Sequence, residues 1–278
     1  MERLMDALDV KKVAPDSLGP ADIVTKAETI AVGKTKMTSL RTFLAALLAG
    51  AFIAFGGTYF CVFLGDTTLP FGVQRVVGGI CFCLGLVLVL CCGCELFTGN
   101  SLMMSAKVSK KITCAQLLKN WGIVWVGNLV GALIAVFLMY MSKVQVMNHG
   151  EVAMTMVNVA AGKVALDPVT MFFKGIMCNV FVCLAVWIGF GARTTVDKVI
   201  GIILPISAFV ALGFEHCVAN MSFLPMGLLL NSMGVGAAGA VTLQGVITNL
   251  VIVTIGNVVG GSLIALVYRA AYGTMKKD

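Results

Sequence analysis

The sequence predicts an all-α polytopic membrane protein, with six transmembrane helices in an inverted repeat of three plus three and with the second and fifth helices broken. Three observations lead there. Hydrophobic residues make up 59% of the 278 and charged residues only 12%, and the mean hydropathy is +0.98. A soluble domain carries roughly 25% charged residues, so there is too little polar surface here to cover a soluble body. Six stretches are apolar for long enough to cross the roughly 30 Å of bilayer hydrocarbon, which takes about 20 residues. Matching motifs then recur in the same order in the two halves of the chain. An intrinsically disordered chain, a nucleic-acid module and a secreted disulfide scaffold are all excluded by this composition.

Residues 1–41 are polar and lack the short apolar core and cleavage site of a signal peptide, so the N-terminus is expected to stay cytoplasmic. Within this segment Gly19-Pro20 suits a helix start, and Ile23, Ala27 and Ile30 recur at helical spacing among Lys26, Lys34 and Lys36. Such an amphipathic helix either lies on the anionic inner face of the membrane or packs on the helical bundle. The membrane domain, 42–268, carries spans near Phe43–Phe63, Val76–Leu96, Trp121–Met141, Val169–Phe190, Val199–Leu230 and Leu250–Tyr268. Between the third and fourth, Ser142 to Pro168 reads as a polar outer loop, and 269–278 is a cytoplasmic tail. The second span runs into Glu95-Leu96-Phe97-Thr98-Gly99-Asn100 before resuming at Ser101-Leu102-Met103-Met104. The fifth is too long for one straight helix and is interrupted at Gly213-Phe214-Glu215-His216.

Lysine and arginine collect in cytoplasmic loops. With both termini inside, sixteen of the twenty basic residues face the cytoplasm: Arg3, Lys11, Lys12, Lys26, Lys34, Lys36, Arg41, Lys107, Lys110, Lys111, Lys119, Arg193, Lys198, Arg269, Lys276 and Lys277. Arg75, Lys143, Lys163 and Lys174 are left outside or within the membrane. The formal charge of +7 is therefore a topology signal and not a nucleic-acid footprint. A plasma-membrane protein surrounded by lipid is expected.

Gly93-x-Glu95-x4-Asn100 matches Gly213-x-Glu215-x4-Asn220, and Gly127-Asn128-Leu129-Val130-Gly131-Ala132 matches Gly256-Asn257-Val258-Val259-Gly260-Gly261. These correspondences make 42–141 and 169–268 two copies of one unit. An odd number of spans per copy turns the second upside down, and equivalent broken helices then point to a site near the midplane. Half-helix ends leave unpaired backbone groups there, and their positive ends suit an anion. Gly127 with Gly131 and Gly256 with Gly260 read as close helix contacts. Asn128 and Asn257 need partners at membrane depth or a wet cavity. Glu95 and Glu215, with Asn100 and Asn220 beside them, are expected to be structural, each carboxylate accepting backbone N–H groups freed by the breaks. His216 is one of two histidines, and it lies at a break inside an apolar segment. An ordinary pKa of about 6.5 makes it the natural proton donor of such a site. His149 falls in the outer loop and reads as solvated. The ten cysteines, including the lone C-x-x-C at Cys91-Cys92-Gly93-Cys94, read as apolar fillers; no metal and no cofactor is expected.

Several of these stretches together resemble the formate/nitrite transporter family. They are Gly93-Cys94-Glu95-Leu96-Phe97-Thr98-Gly99, then Phe172-Phe173-Lys174-Gly175 followed by Cys178-Asn179 and Cys183-Leu184-Ala185-Val186-Trp187, and finally Gly213-Phe214-Glu215-His216-Cys217-Val218-Ala219-Asn220-Met221. The likeness runs from about Leu18 to Tyr268 and is greatest for the formate channels, with Pro70-Phe71-Gly72, Gly78-Gly79-Ile80-Cys81-Phe82 and Leu84-Gly85-Leu86 in place. Cys94 departs from the small Ala or Ser expected there. The resemblance implies an aquaporin-like fold, a homopentamer with a pore in each protomer, and two apolar constrictions around a central chamber. Carried over by position, Phe82, Leu86 and Phe209 match one constriction, and Leu96, Phe97 and Val182 lie at or near the other. Thr98, His216, Asn179 and Asn257 match polar groups of the pathway, and Lys163 matches a lysine near the outer vestibule.

A charged anion meeting a dry ring of Phe and Leu faces a cost of tens of kcal/mol. The reading is therefore a non-enzymatic channel for small monovalent anions. Formate comes first, then nitrite and hydrosulfide, with acetate or lactate as further candidates. Lys163 draws the anion in and His216 protonates or hydrogen-bonds it, oriented by Thr98, Asn179 and Asn257. An aquaporin-type neutral-solute pore shares the repeat logic, but the paired Asn-Pro-Ala motifs of that class do not occur. A membrane-bound enzyme or electron carrier lacks haem-ligand histidine pairs and a nucleotide loop.

Overall fold

The structure, a computed structural model, describes residues 17–66 and 68–273. Arg3, Lys11, Lys12, Lys276 and Lys277, which enter the charge count above, lie outside the described residues. Among the described residues all regular structure is helical. The helices are α1 (Pro20–Lys36), α2 (Ser39–Leu64), α3 (Phe71–Cys92), α4 (Phe97–Asn100), α5 (Met104–Val108), α6 (Cys114–Met141), α7 (Glu151–Val164), α8 (Pro168–Gly191), α9 (Thr195–Ala211), α10 (Cys217–Ser232) and α11 (Leu243–Tyr272). By length and composition α2, α3, α6, α8 and α11 can each cross a membrane.

Polar caps set where most of these helices begin. Thr113 and Gln116 form a capping box for α6, and Thr194 and Asp197 form another for α9. Asp167 caps α8 with Pro168 in the first turn, while Thr38 and Thr242 cap α2 and α11. Because caps rather than hydropathy decide the boundary, α6 and α11 each start seven residues before the apolar stretch, at Cys114 and Leu243. The second span stops at Cys92, where Gly93 takes φ 81°, a left-handed turn that glycine tolerates. The predicted fifth span is two helices, α9 and α10, parted by residues 212–216 with Gly213 at φ 70°.

One expectation changes and one open alternative is decided. The segment from Ser142 to Pro168 is not a plain loop, because it contains α7, which buries Val152, Ala153, Met156, Val157 and Ala160. Its apolar face covers α10, so mean polarity hid a helix. For α1, packing on the protein is what the structure shows: Ile23, Val24, Ala27 and Ala31 are buried. Glu28 fastens that helix. Its buried carboxylate accepts from Ser105 Oγ at 3.1 Å and from Ser109 Oγ, and it pairs with Lys111 Nζ at 2.6 Å and Arg269 Nε at 3.5 Å. Burial alone raises its pKa, but Lys111 and the two hydroxyls outweigh that and hold it below its ordinary 4.5.

Helix contacts follow the small residues. A Cβ at Gly131 would run into the Leu47 carbonyl, and one at Gly260 into the Ile176 carbonyl. The pairs α2 with α6 and α8 with α11 are thereby brought to backbone contact. Equivalent pairs thus occur in both halves of the chain.

Candidate functional site

The two breaks are each framed by one asparagine. Asn128 donates Nδ2 to the carbonyls of Ala46 (2.7 Å) and Glu95 (2.9 Å), and its Oδ1 accepts the Phe97 N–H at 2.9 Å. Asn257 does the same for the other break: Nδ2 to Gly175 O (2.7 Å) and Glu215 O (2.9 Å), Oδ1 from Cys217 N–H (2.8 Å). Backbone groups freed in an apolar interior must be paired. Here the amides do it, where the carboxylates of Glu95 and Glu215 were expected to.

Those carboxylates take side-chain donors instead. Glu95 binds Lys34 Nζ at 2.6 Å and Asn100 Nδ2 at 2.8 Å, and Asn100 also donates to Asn120. Glu215 binds Lys163 Nζ at 2.9 Å and Asn220 Nδ2 at 2.7 Å, and Asn220 also donates to Asn249. Sequence reasoning missed Lys34, Asn120 and Asn249 as members of these clusters. The lysines come from α1 and α7, so each cluster ties a peripheral helix to a break. The clusters are not identical: Lys34 Nζ also reaches Asn100 Oδ1 at 2.8 Å whereas Asn220 Oδ1 is buried without a partner, and in the second cluster Asn249 Nδ2 donates to Lys163 O at 3.1 Å and to Glu215 at 3.3 Å.

His216 caps α10: its Nδ1 accepts the Ala219 N–H at 3.0 Å. A ring nitrogen that accepts carries no proton, so the neutral imidazole holds its proton on Nε2, 2.9 Å from Thr98 Oγ1. Thr98 belongs to the first break and His216 to the second, and this contact is where the two meet. Asn179 braces the same spot, its Nδ2 lying 3.2 Å from Thr98 O and 2.5 Å from Asn257 O.

Two vestibules approach this contact. One, of about 470 Å³, is lined by Phe60, Phe82, Phe209, Phe223 and His216, and by three cations, Arg75, Lys163 and Lys174, against one carboxylate, Glu215. The other, of about 430 Å³, is lined by Lys34, Glu95, Cys94, Leu96, Val186 and Phe190 among others, one cation against one carboxylate. Between them is a gap of about 10 Å³ walled by Ile53, Phe82, Leu86, Leu96, Val182, Ile206, Phe209 and His216. A gap of that size is at the lower limit for a single water, so the apolar segments on both sides are shut.

Phe82 and Phe209 stand between the first vestibule and the gap, with ring centroids 5.7 Å apart, and Leu86 lines the gap itself. Leu96 stands between the gap and the second vestibule, with Val182 on the gap wall. Phe97 is elsewhere: it is buried against Trp121 and lines none of these cavities. Thr98, Asn179 and Asn257 line none of them either; they are fully buried and act on the ring and the backbone around it. His216 is the polar side chain on the wall of the gap. Arg75 donates to the carbonyls of Val210 and Ala211 at 2.8 Å each, closing the C-terminal end of α9. His149 lies outside the site, in the turn before α7.

Comparison with known proteins finds relatives over most of the chain. The family model described as formate/nitrite transporter matches residues 21–271. The Escherichia coli (strain K12) protein named formate channel FocA is 41% identical over 271 residues, covering 92% of this chain and 95% of its own. A probable formate transporter of Methanothermobacter thermautotrophicus is 37% identical over 271 residues, covering 91% of this chain and 96% of its own. Among solved structures, a pentameric formate channel with formate bound matches with a TM-score of 0.79 at 35% identity, over 84% of this chain and 97% of that one. An FNT family ion channel matches with a TM-score of 0.81 at 29% identity, over 90% and 98%. A family model matching residues 21–271 and a relative 41% identical over 271 residues establish that this protein belongs to the formate/nitrite transporter family.

Proposed function

We propose that the protein is a formate channel of the plasma membrane, a homopentamer in which each protomer conducts through the pathway at His216. The substrate and the pentamer come from the relatives named above. Six spans in an inverted repeat are supported by the duplicated asparagine frames and Lys–Glu–Asn clusters, and by the odd number of spans in each half. Cytoplasmic termini are supported by the distribution of basic residues.

One observation carries the mechanism: a single polar side chain, His216, faces an apolar gap closed on both sides. The cationic vestibule gathers the anion, since three cations there outnumber one carboxylate. At His216 the anion meets Nε2–H, held in place by Thr98. Protonating the resting ring means giving up the Ala219 N–H at Nδ1, a cost that the arriving negative charge offsets. The imidazolium then passes its Nε2 proton to a formate oxygen, and formic acid, being neutral, enters the apolar segment without the penalty of a bare charge. The proton that makes the imidazolium enters from the solution of the cationic vestibule, which His216 lines, and leaves with formate as formic acid. The ring then returns to rest by losing the Nδ1 proton and regaining one at Nε2, with no net change. Asn179 and Asn257 keep Thr98 and the capped helix end in register, while Glu95 and Glu215 are structural anchors.

Stopped-flow uptake into proteoliposomes under formate, nitrite, hydrosulfide, lactate, chloride and glycerol gradients tests this. Formate is expected to move and chloride and glycerol to be excluded. A pore that carries glycerol but no formate would refute the reading.

A further inference from the structure

Phe223 has no role in the mechanism above, yet its ring packs on Phe82, one side of the vestibule aperture. It lies on α10, 9% exposed, and faces two cavities at once. One is the cationic vestibule. The other is a separate gap of about 20 Å³ walled by residues that include Gly57, Cys61, Val136, Met156 and Met226. The Phe223 ring lies nearly parallel to Phe82, at 6.3 Å and 23°, and edge-on to Phe60, at 6.0 Å and 69°. Lys163 Nζ stands 5.5 Å from its centroid.

For a substrate to pass, Phe82 and Phe209 must part. Interiors are packed too densely for either ring to move alone, so a neighbour has to yield. His216, beside Phe209 at 6.0 Å, is held at both ring nitrogens. Phe223, beside Phe82, has unfilled space next to it, and two walls of that space are methionines, which change shape readily. Gly57 sets the clearance, because a Cβ there would stand 3.1 Å from Phe223 Cζ. We propose that Phe223 is a specificity-determining residue: by moving into the gap beside Gly57 it sets how far Phe82 and Phe209 separate, and so the largest monocarboxylate that passes. This deepens the proposed function and rests on it.

The test compares formate, acetate and lactate uptake by proteoliposomes of the wild type, F223L, F223M and G57A, each verified as an intact oligomer by size exclusion. F223L is expected to raise the acetate-to-formate ratio about tenfold, the scale on which hydrophobic pockets discriminate one methylene. F223M falls between, and G57A lowers the ratio while formate still moves. An unchanged ratio in G57A together with F223L, or with F223M should F223L not assemble, overturns the assignment. So does an equal rise for all three acids and chloride, which marks a general leak. A wild type that carries none of the three acids would instead refute the proposed function.

Discussion

The two nitrogens of His216 have different duties: Nδ1 caps α10 and Nε2 meets Thr98 across the breaks. Replacing His216 by Phe keeps the bulk and removes both. Loss of general acid catalysis is worth about 10²- to 10⁴-fold, so formate uptake by H216F should fall by at least about a hundredfold. The lost cap costs on the order of 1 kcal/mol, too little to prevent assembly. Uptake equal to wild type in a folded H216F pentamer would contradict the role. Thr98→Val separates orientation from chemistry, since it preserves shape and deletes the hydroxyl. Uptake is expected to drop about tenfold, the effect of one lost hydrogen bond of about 1.4 kcal/mol, and Thr98→Ser should restore it. If valine and serine behave alike, the hydroxyl is idle.

At the scale of elements, Asn128 and Asn257 each hold three backbone groups, so Asn128→Ala and Asn257→Ala leave comparable orphans. Each variant is expected to lose about 3 kcal/mol or more, read as a lowered midpoint of thermal unfolding in detergent. A large loss for one and none for the other would mean the halves are not built alike. The repeat and its asparagines were legible because they are local strings with fixed spacing. Lys34 and Lys163 as carboxylate partners were not, since each bond spans 61 and 52 residues and no local pattern records it. For the same reason α1 could be read as membrane-bound or packed, because the deciding contacts of Glu28 reach Ser105, Lys111 and Arg269. That contact gives α1 a defined acid response. The Glu28 pKa lies below its ordinary 4.5, so its stabilisation is full above that value and is lost as pH falls through the folded-state pKa. Limited proteolysis of α1 should therefore increase at low pH in the wild type, and should be raised already at neutral pH in E28Q. Equal cleavage of the two proteins at every pH would show that Glu28 does not hold the helix.

Over the whole molecule, two vestibules lead to one closed gap, and their unequal lining charge favours anion capture from the Lys163 side. Composition revealed the membrane and the breaks revealed the site, but the closure of the pathway and the aromatic group behind Phe82 are tertiary facts. Phe97 shows the limit of carrying positions over by pattern. It sits in the expected string, yet its ring turns to Trp121. In the proposed mechanism, what distinguishes this pathway from a plain anion pore is that formate crosses together with a proton supplied at His216. Formate uptake and internal pH can be recorded together in proteoliposomes with the membrane potential clamped at zero and then at an imposed value. One proton per formate, with a rate indifferent to the potential and abolished in H216F, is the expected result. Formate moving as a potential-driven current without protons, unaffected by H216F, would contradict it.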